Sequence, residues 1–276
     1  MAERKFRIAG IQMVSTPVVA ENLKAADELL ARAAGVGARV AALPEYFCLL
    51  GMKDTDKLAA RERYGSGPIQ DFLREAAQRH KMWIIGGTLP IDSGQPDKIL
   101  NTSLVFDSSG ETVARYDKIH LFGFSRTHAD GRLERYDEAR TIEHGSNAPV
   151  ALDTPFGRIG LSVCYDLRFP ELYRRFVGAD LILVPSAFTA TTGQAHWEPL
   201  LRARAIENLA YVLAPAQGGT HVNGRTTHGH SMIIDPWGVV LDELASGAGI
   251  VTAEVDLDHL AECREALPAL KHKTLA

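Results

Sequence analysis

Gly157-Arg-Ile-Gly-Leu-Ser-Val-Cys-Tyr-Asp-Leu-Arg-Phe-Pro-Glu171 changes character midway. Ile159 to Val163 is an apolar run that reads as a buried strand, and Pro170 stands at a favourable first-turn position of a helix. Cys164 falls where the strand stops. Open α/β sheets bind their ligands in the space beyond the strand ends, so a thiol on this turn can meet a substrate. A free cysteine is also among the most buried residue types and often serves as a small hydrophobe. The rest of the chain has to decide between the two readings.

Working outward, Thr154-Pro-Phe-Gly157 is the turn of a hairpin that delivers the cysteine strand. A short helix over 170–177 leads to the strand Leu181-Ile-Leu-Val184, and a helix over 197–210 sets Trp197, Leu201, Ala205 and Leu209 at steps of four. Glu198 and Arg202 on it form an i,i+4 pair in the favourable order. A strand over 211–216, a hairpin turning at Pro236-Trp-Gly238, a strand over 249–255 and a helix from 257 to about 267 complete this half.

Upstream, residues 5–14 read as a strand, 19–34 as a helix and Val40 to Leu43 as a short buried strand stopped by Pro44. Residues 46–67 read as a loop, Ile69 to Ala76 as the apolar face of a helix, and Trp83-Ile-Ile as a buried strand. Asp107-Ser-Ser-Gly110 is a hairpin signal. Residues 117–148 lack periodicity and are rich in charge, His and Gly; so long a loop in a compact domain is more often functional than idle.

No internal repeat, low-complexity tract or linker interrupts the chain, which predicts a single domain over 1–276. Helices alternate with strands while hairpins intervene. That mixture implies an α/β fold of two mixed sheets face to face with helices outside each.

The 276 residues are 46% hydrophobic and 23% charged with a net charge of −4, which suits a globular protein with a sizeable core. No basic run points to nucleic acid. Met1-Ala-Glu-Arg-Lys-Phe6 leads straight into a strand, with no signal-peptide core and no apolar stretch long enough to span a bilayer. Three scattered cysteines, Cys48, Cys164 and Cys263, argue for a reducing compartment, so a cytoplasmic protein is expected.

Three contexts place a reactive group at or just past the end of an apolar strand. Leu43-Pro-Glu45 supplies a carboxylate, Tyr116-Asp-Lys118 an ammonium and Val163-Cys164 a thiol. Taken singly, Glu45 reads as a cap or surface carboxylate and Lys118 as a solvated lysine paired with Asp117, because charged residues are mostly exposed. Together they mean more. A carboxylate can take a thiol proton, and a neighbouring ammonium lowers a thiol pKa and steadies an oxyanion. That set suits acyl transfer through a thioester.

The contexts Leu43-Pro-Glu45-Tyr, Tyr116-Asp-Lys118-Ile-His-Leu-Phe and Val163-Cys164-Tyr-Asp-Leu-Arg-Phe-Pro-Glu171, in this order, resemble the nitrilase superfamily of carbon–nitrogen hydrolases over nearly the whole chain. Pro185 to Glu198 and Leu201-Arg-Ala-Arg-Ala-Ile206 are similar to its amidase branch. Ala216-Gln217 and Gly229-His-Ser-Met-Ile-Ile-Asp-Pro-Trp-Gly238 look most like the deaminated glutathione amidases within it. The resemblance implies a four-layer α-β-β-α sandwich, a homodimer or higher homo-oligomer, and no metal or organic cofactor. It implies Cys164 as nucleophile, Glu45 as general base, and Lys118 with a backbone N–H near Tyr165 as oxyanion donors. A second glutamate, Glu138, would orient Lys118, with Glu134 and Glu143 as competitors for that place. The implied substrate is deaminated glutathione, split to 2-oxoglutarate and Cys-Gly; the alternatives are 2-oxoglutaramate, in an ω-amidase, or an N-carbamoyl amide.

A dianionic substrate calls for cations and hydrogen-bond donors. Tyr165, Arg168, Phe188, Thr191 and Thr192 are the candidates, against a reading of Arg168 as the buried partner of Glu171 or Asp166. Other classes leave traces too. His228-Gly-His230 with His221 hints at a metal but lacks a clear third ligand. A non-catalytic protein would not need the three groups together. A redox thiol protein would use Cys48 or Cys263 as resolving partners. Trp197 and Trp237 read as core or interface anchors, and His120 and His196 as packed histidines near the pocket.

Overall fold

The computed structural model describes residues 4–131 and 133–274. Its main sheet has eight strands, with a central path in the order Gly249–Asp256, Lys5–Gln12, Ala38–Ala42, Trp83–Ile85, Ile99–Phe106 and Leu89–Asp92. Thr112–Asp117 and Ile142–Glu143 also pair with Ile99–Phe106. The second sheet has six strands, in the order Val150–Thr154, Gly157–Leu161, Leu181–Leu183, Tyr211–Ala214, Ser231–Ile234 and Val240–Leu244. Parallel and antiparallel pairs occur in both.

Side-chain alternation separates the layers. In the first sheet Phe6, Ile8, Val40, Ala42, Ile85 and Val105 join one core with Ile159, Leu161, Leu181 and Leu183 of the second. Their neighbours Ala9, Ile11, Ala41, Leu43, Ile84, Leu104 and Phe106 turn the other way, onto Ala26, Leu30 and Ala33 of helix Val19–Gly35 and Ile69, Leu73 and Ala76 of helix Pro68–His80. Trp197, Leu201 and Ala205 of helix Ala190–Asn208 belong to the core shared with the second sheet. The result is an α-β-β-α sandwich, as the element count implied.

Several elements depart from the sequence reading. The helix read as 197–210 begins seven residues earlier, at Ala190. Thr189 caps it, its side chain accepting from the Thr192 N–H at 3.3 Å. Gly193 lets this first turn press onto His228, where a Cβ would come within 2.3 Å of the ring. Pro199 lies inside the helix, which continues because buried Trp197, Leu201 and Ala205 anchor it on both sides of the missing N–H. The helix read as 170–177 is one turn, Pro170–Tyr173. The 117–148 stretch contains a hairpin, Gly123–Thr127 with Leu133–Asp137, and a 3-10 turn, Glu138–Arg140. Its strands are largely exposed, so no apolar alternation marked them. Strand Leu89–Asp92, the Gly218–Thr220/Thr226–His228 hairpin and the short helix Asp56–Ala59 were also missed.

Candidate active site

Three chain segments meet where the strands of the two sheets end. Glu45 lies three residues past strand Ala38–Ala42. Gly87, at φ +51°, allows the neighbouring segment to pass; a Cβ there would come within 2.1 Å of the Pro44 carbonyl. Gln217 steadies the same turn, its side chain donating to the Glu45 carbonyl at 3.1 Å and to the Ser15 hydroxyl at 2.7 Å. Lys118 directly follows strand Thr112–Asp117. Cys164 opens the 3-10 turn Cys164–Arg168 after strand Gly157–Leu161, at φ +49°. A left-handed backbone is costly for a non-glycine residue and persists only where its surroundings hold it. Here the Cys164 N–H donates to the Pro185 carbonyl at 3.0 Å.

Asp166 ties the thiol turn to the lysine strand. Its buried carboxylate accepts from the Val163 N–H at 2.8 Å, the Tyr116 hydroxyl at 2.7 Å and the His120 N–H at 3.1 Å. His120 Nδ1 lies 2.7 Å from the same carboxylate, and its ring stacks on Phe169. His120 is therefore the packed histidine that was expected. Asp166→Ala strands the Tyr116 hydroxyl and the Val163 N–H in the core, at about 1–3 kcal/mol each. The expected result is a lower thermal midpoint together with a fall in kcat. Asp166→Asn, which keeps the shape, should recover more stability than activity; chemical denaturation beside steady-state kinetics measures both.

Lys118 is buried between two carboxylates. Its ammonium donates to Glu45 at 2.8 Å and to the two oxygens of Glu138 at 2.8 and 3.0 Å. Asn101 Nδ2 donates to Glu45 Oε1 at 3.0 Å, and the Ala187 N–H to Glu45 Oε2 at 2.9 Å. Glu138 also accepts from the Phe122 N–H and the Tyr46 hydroxyl, both at 2.7 Å. Of its competitors, Glu134 bonds His128 and Thr191, and Glu143 pairs with Lys98. Asp117, read as a partner for Lys118, instead bonds Thr102 and Arg115.

Burial would raise Glu138, but Lys118, the Phe122 N–H and the Tyr46 hydroxyl outweigh it and hold the carboxyl below its usual range. Burial dominates at Glu45 and, against the pull of Lys118, raises it. Burial works against the Lys118 charge, yet its two carboxylates hold it well above the usual lysine range. Cys164 goes against expectation. Burial and the Glu45 anion push its thiol well above the ordinary value despite Lys118. The resting pair is thus a thiol beside a carboxylate, and proton transfer has to accompany attack.

A cleft of about 670 Å³, part of it open to solvent, contains Glu45, Glu138 and Cys164. A smaller lobe that shares Cys164 with this cleft is lined by Tyr165, Arg168, Phe188 and Thr192, four of the five residues predicted to bind substrate. The fifth, Thr191, lines neither lobe, because its hydroxyl is turned to Glu134 at 3.0 Å. Arg168 pairs with neither Glu171 nor Asp166. Its guanidinium lies 5.8 Å over the Tyr165 ring and 5.4 Å over Phe188, with Nη1 at 3.2 Å from His196. Trp197 is buried and donates to the His230 carbonyl, whereas Trp237 is exposed. His228 and His230 stack on each other, and His230 bonds Glu243. Cys48 and Cys263 are free thiols like Cys164, and Cys48 lies in the separate core under helices Val19–Gly35 and Pro68–His80. Sequence reasoning missed Tyr46, Asp54, Lys57, Asn101, Tyr136 and Arg225. Only Asn101, an amide in the strand Ile99–Phe106 between apolar ends, left a signal.

A carbon–nitrogen hydrolase family model matches residues 7–265. The chain belongs to the carbon–nitrogen hydrolase family. It is 43% identical over 274 residues to the deaminated glutathione amidase of Synechocystis sp., covering 98% of each chain. The crystal structure of NitFhit from Caenorhabditis elegans superposes with a TM-score of 0.87 at 38% identity, covering 99% of this chain and 66% of that one. That of Nit3 from Saccharomyces cerevisiae, a member of branch 10 of the nitrilase superfamily, gives 0.88 at 29% identity, covering 99% of this chain and 98% of that one. The fold of this carbon–nitrogen hydrolase is thus the nitrilase sandwich. No helix among its described residues is long and apolar enough to cross a membrane.

Proposed function

We propose that this chain hydrolyses the γ-amide of deaminated glutathione, with Cys164 as nucleophile, Glu45 as general base and acid, and Lys118 as oxyanion donor. The observation that carries this reading is a Glu45–Lys118–Glu138 ion cluster whose two carboxylates line one cleft with Cys164. The Synechocystis relative, aligned almost end to end, supports the substrate.

In the first half-reaction Glu45 takes the thiol proton as sulfur attacks the amide carbon. The oxyanion forms against Lys118 and the Tyr165 N–H, which as second residue of a 3-10 turn has no partner earlier in it. Glu45 returns its proton to the nitrogen, the C–N bond breaks and Cys-Gly leaves with its free amine. In the second half Glu45 deprotonates a water that attacks the thioester, and 2-oxoglutarate departs from the regenerated thiol. One carboxylate alternates between base and acid. Glu138 holds Lys118 in place.

The test is steady-state kinetics on deaminated glutathione, 2-oxoglutaramate and simple carbamoyl compounds, with rapid-quench intact mass to identify the acyl group on Cys164. Fastest turnover of a carbamoyl compound, or no acyl-enzyme, would overturn the reading. The pH profile supplies a further prediction. Glu45 acts as base only when ionised and its pKa is raised, so kcat/KM should rise with pH through an ionisation above the ordinary glutamate range. Glu138, lowered, stays ionised across that limb. An acid limb at or below the ordinary value would place the base elsewhere.

The same reading takes the chain as one domain and as a cytoplasmic homodimer. Three free cysteines favour a reducing setting. Exposed Ile206 beside the Trp237-Gly238 turn, with exposed Val239, offers an apolar face for a second copy.

A further inference from the structure

The two lobes that share Cys164 differ in their chemistry. Glu45 and Glu138 line the larger lobe and are absent from the smaller. The smaller carries one cation, Arg168. The larger carries two, Lys57 and Arg225, brought together from the short helix Asp56–Ala59 and the edge of strand Thr226–His228.

These two cations are not equivalent. Arg225 is paired with Asp54 at 2.6 Å and lies 5.3 Å over the Tyr136 ring. Lys57 makes no ion pair among the described residues; its ammonium sits 5.3 Å over the ring of Tyr46, whose hydroxyl is committed to Glu138. Burial pushes that ammonium below the usual lysine range, against the pull of Glu138 and Asp54. A cation lacking a carboxylate partner in a partly desolvated cleft is a receptor for an anion. The cleft continues past Lys57 into a recess of about 300 Å³ lined by Leu49, Gly51 and Lys53.

The proton inventory fixes which end of a substrate lies here. The departing nitrogen needs a proton from Glu45, so it must leave into the lobe that Glu45 lines. The amine half of the amide therefore occupies the larger lobe and the acyl half faces Arg168. We propose that Lys57, assisted by Arg225, binds a carboxylate at the far end of the leaving amine, so that the enzyme selects amides whose amine half is a short carboxylate-ended peptide or amino acid over those that release ammonia. The inference rests on the reading given under Proposed function and adds to it the residue that recognises the leaving group.

The test uses the full chain and two substrates, deaminated glutathione and the same molecule with its terminal glycine carboxylate converted to the carboxamide. Wild type should prefer the free acid by roughly 10- to 100-fold in kcat/KM, chiefly through KM, as a charge-assisted hydrogen bond provides. In Lys57→Met the ratio should collapse to about one, and Lys57→Arg should keep most of it. Because the ratio is taken within one protein preparation, loss of folded enzyme cancels. Wild type that turns over both substrates without preference, or a preference that survives in Lys57→Met, overturns this inference alone. Wild type inactive on both overturns the functional reading and this inference with it.

Discussion

Cys164→Ala is expected to lose at least ~10⁴ in kcat/KM while remaining folded, the scale on which removal of a covalent nucleophile acts. Cys164 is only 7% exposed, and alanine fills most of its space. Alanine also adopts the left-handed backbone at this position at no more cost than cysteine, and the N–H that holds the turn to Pro185 is unchanged. The loss is therefore chemical. Rapid-quench mass spectrometry should show an acyl adduct on wild type and none on the variant. Glu45→Gln should fall by a comparable factor although its thiol remains, because glutamine can neither take the thiol proton nor activate water. Burial, the largest cause of the raised thiol pKa, acts in this variant too, and glutamine offers no base to take the thiol proton during attack. A Cys164→Ala protein with more than a few per cent of wild-type turnover would end the covalent mechanism.

How much of this could be read beforehand depends on whether a residue's meaning is local. The hairpins at 107–110 and 154–157 were legible because Gly and Pro punctuate apolar alternation, and the strands Ile99–Phe106 and Gly157–Leu161 overlap the segments 101–106 and 159–163 that the pattern marks, each starting two residues earlier. The Gly123–Thr127/Leu133–Asp137 hairpin was not, because strands with no buried position carry no apolar period. Helix Ala190–Asn208 opens Ala-Thr-Thr-Gly, whose helical state is decided by the Thr189 cap and the fit of Gly193 on His228. In the site, Glu45, Lys118 and Cys164 stood out because each follows an apolar run that must be buried. Lys57 on its short helix and Asp54 and Arg225 on loops look like ordinary surface charges until the fold brings them to one cleft. The direction of the thiol pKa was misjudged for a related reason. Lys118 was visible as a neighbour, whereas burial sums over every layer of the sandwich and has no sequence signature.

Lys118→Met should damage both folding and catalysis, and the two losses can be separated. The ammonium has no solvent exposure, and its partner carboxylates are 1% and 14% exposed at the side chain. Removing one member of a buried ion cluster costs about 3–5 kcal/mol, since the remaining charges are left uncompensated. Glu45 and Glu138 would then share the site without a cation, and one must take up a proton. Glu45, already raised, is the one that does, so the variant loses its base as well as an oxyanion donor worth ~10²–10³ in rate. The pH dependence follows from the signs. The Lys118 pKa is raised, so its stabilisation is complete below the unfolded lysine value and disappears only as pH climbs through the higher folded one. The Glu138 pKa is lowered, so its share is present above the ordinary glutamate range and is lost as pH falls through the folded value. Wild type and Lys118→Met should therefore differ most in stability near neutrality and converge in acid. Adding Glu138→Gln to Lys118→Met removes the stranded charge, so the double variant should regain part of the stability in chemical denaturation yet recover no turnover. A single variant as stable and as active as wild type at neutral pH would mean that the cluster neither holds the site together nor serves the reaction.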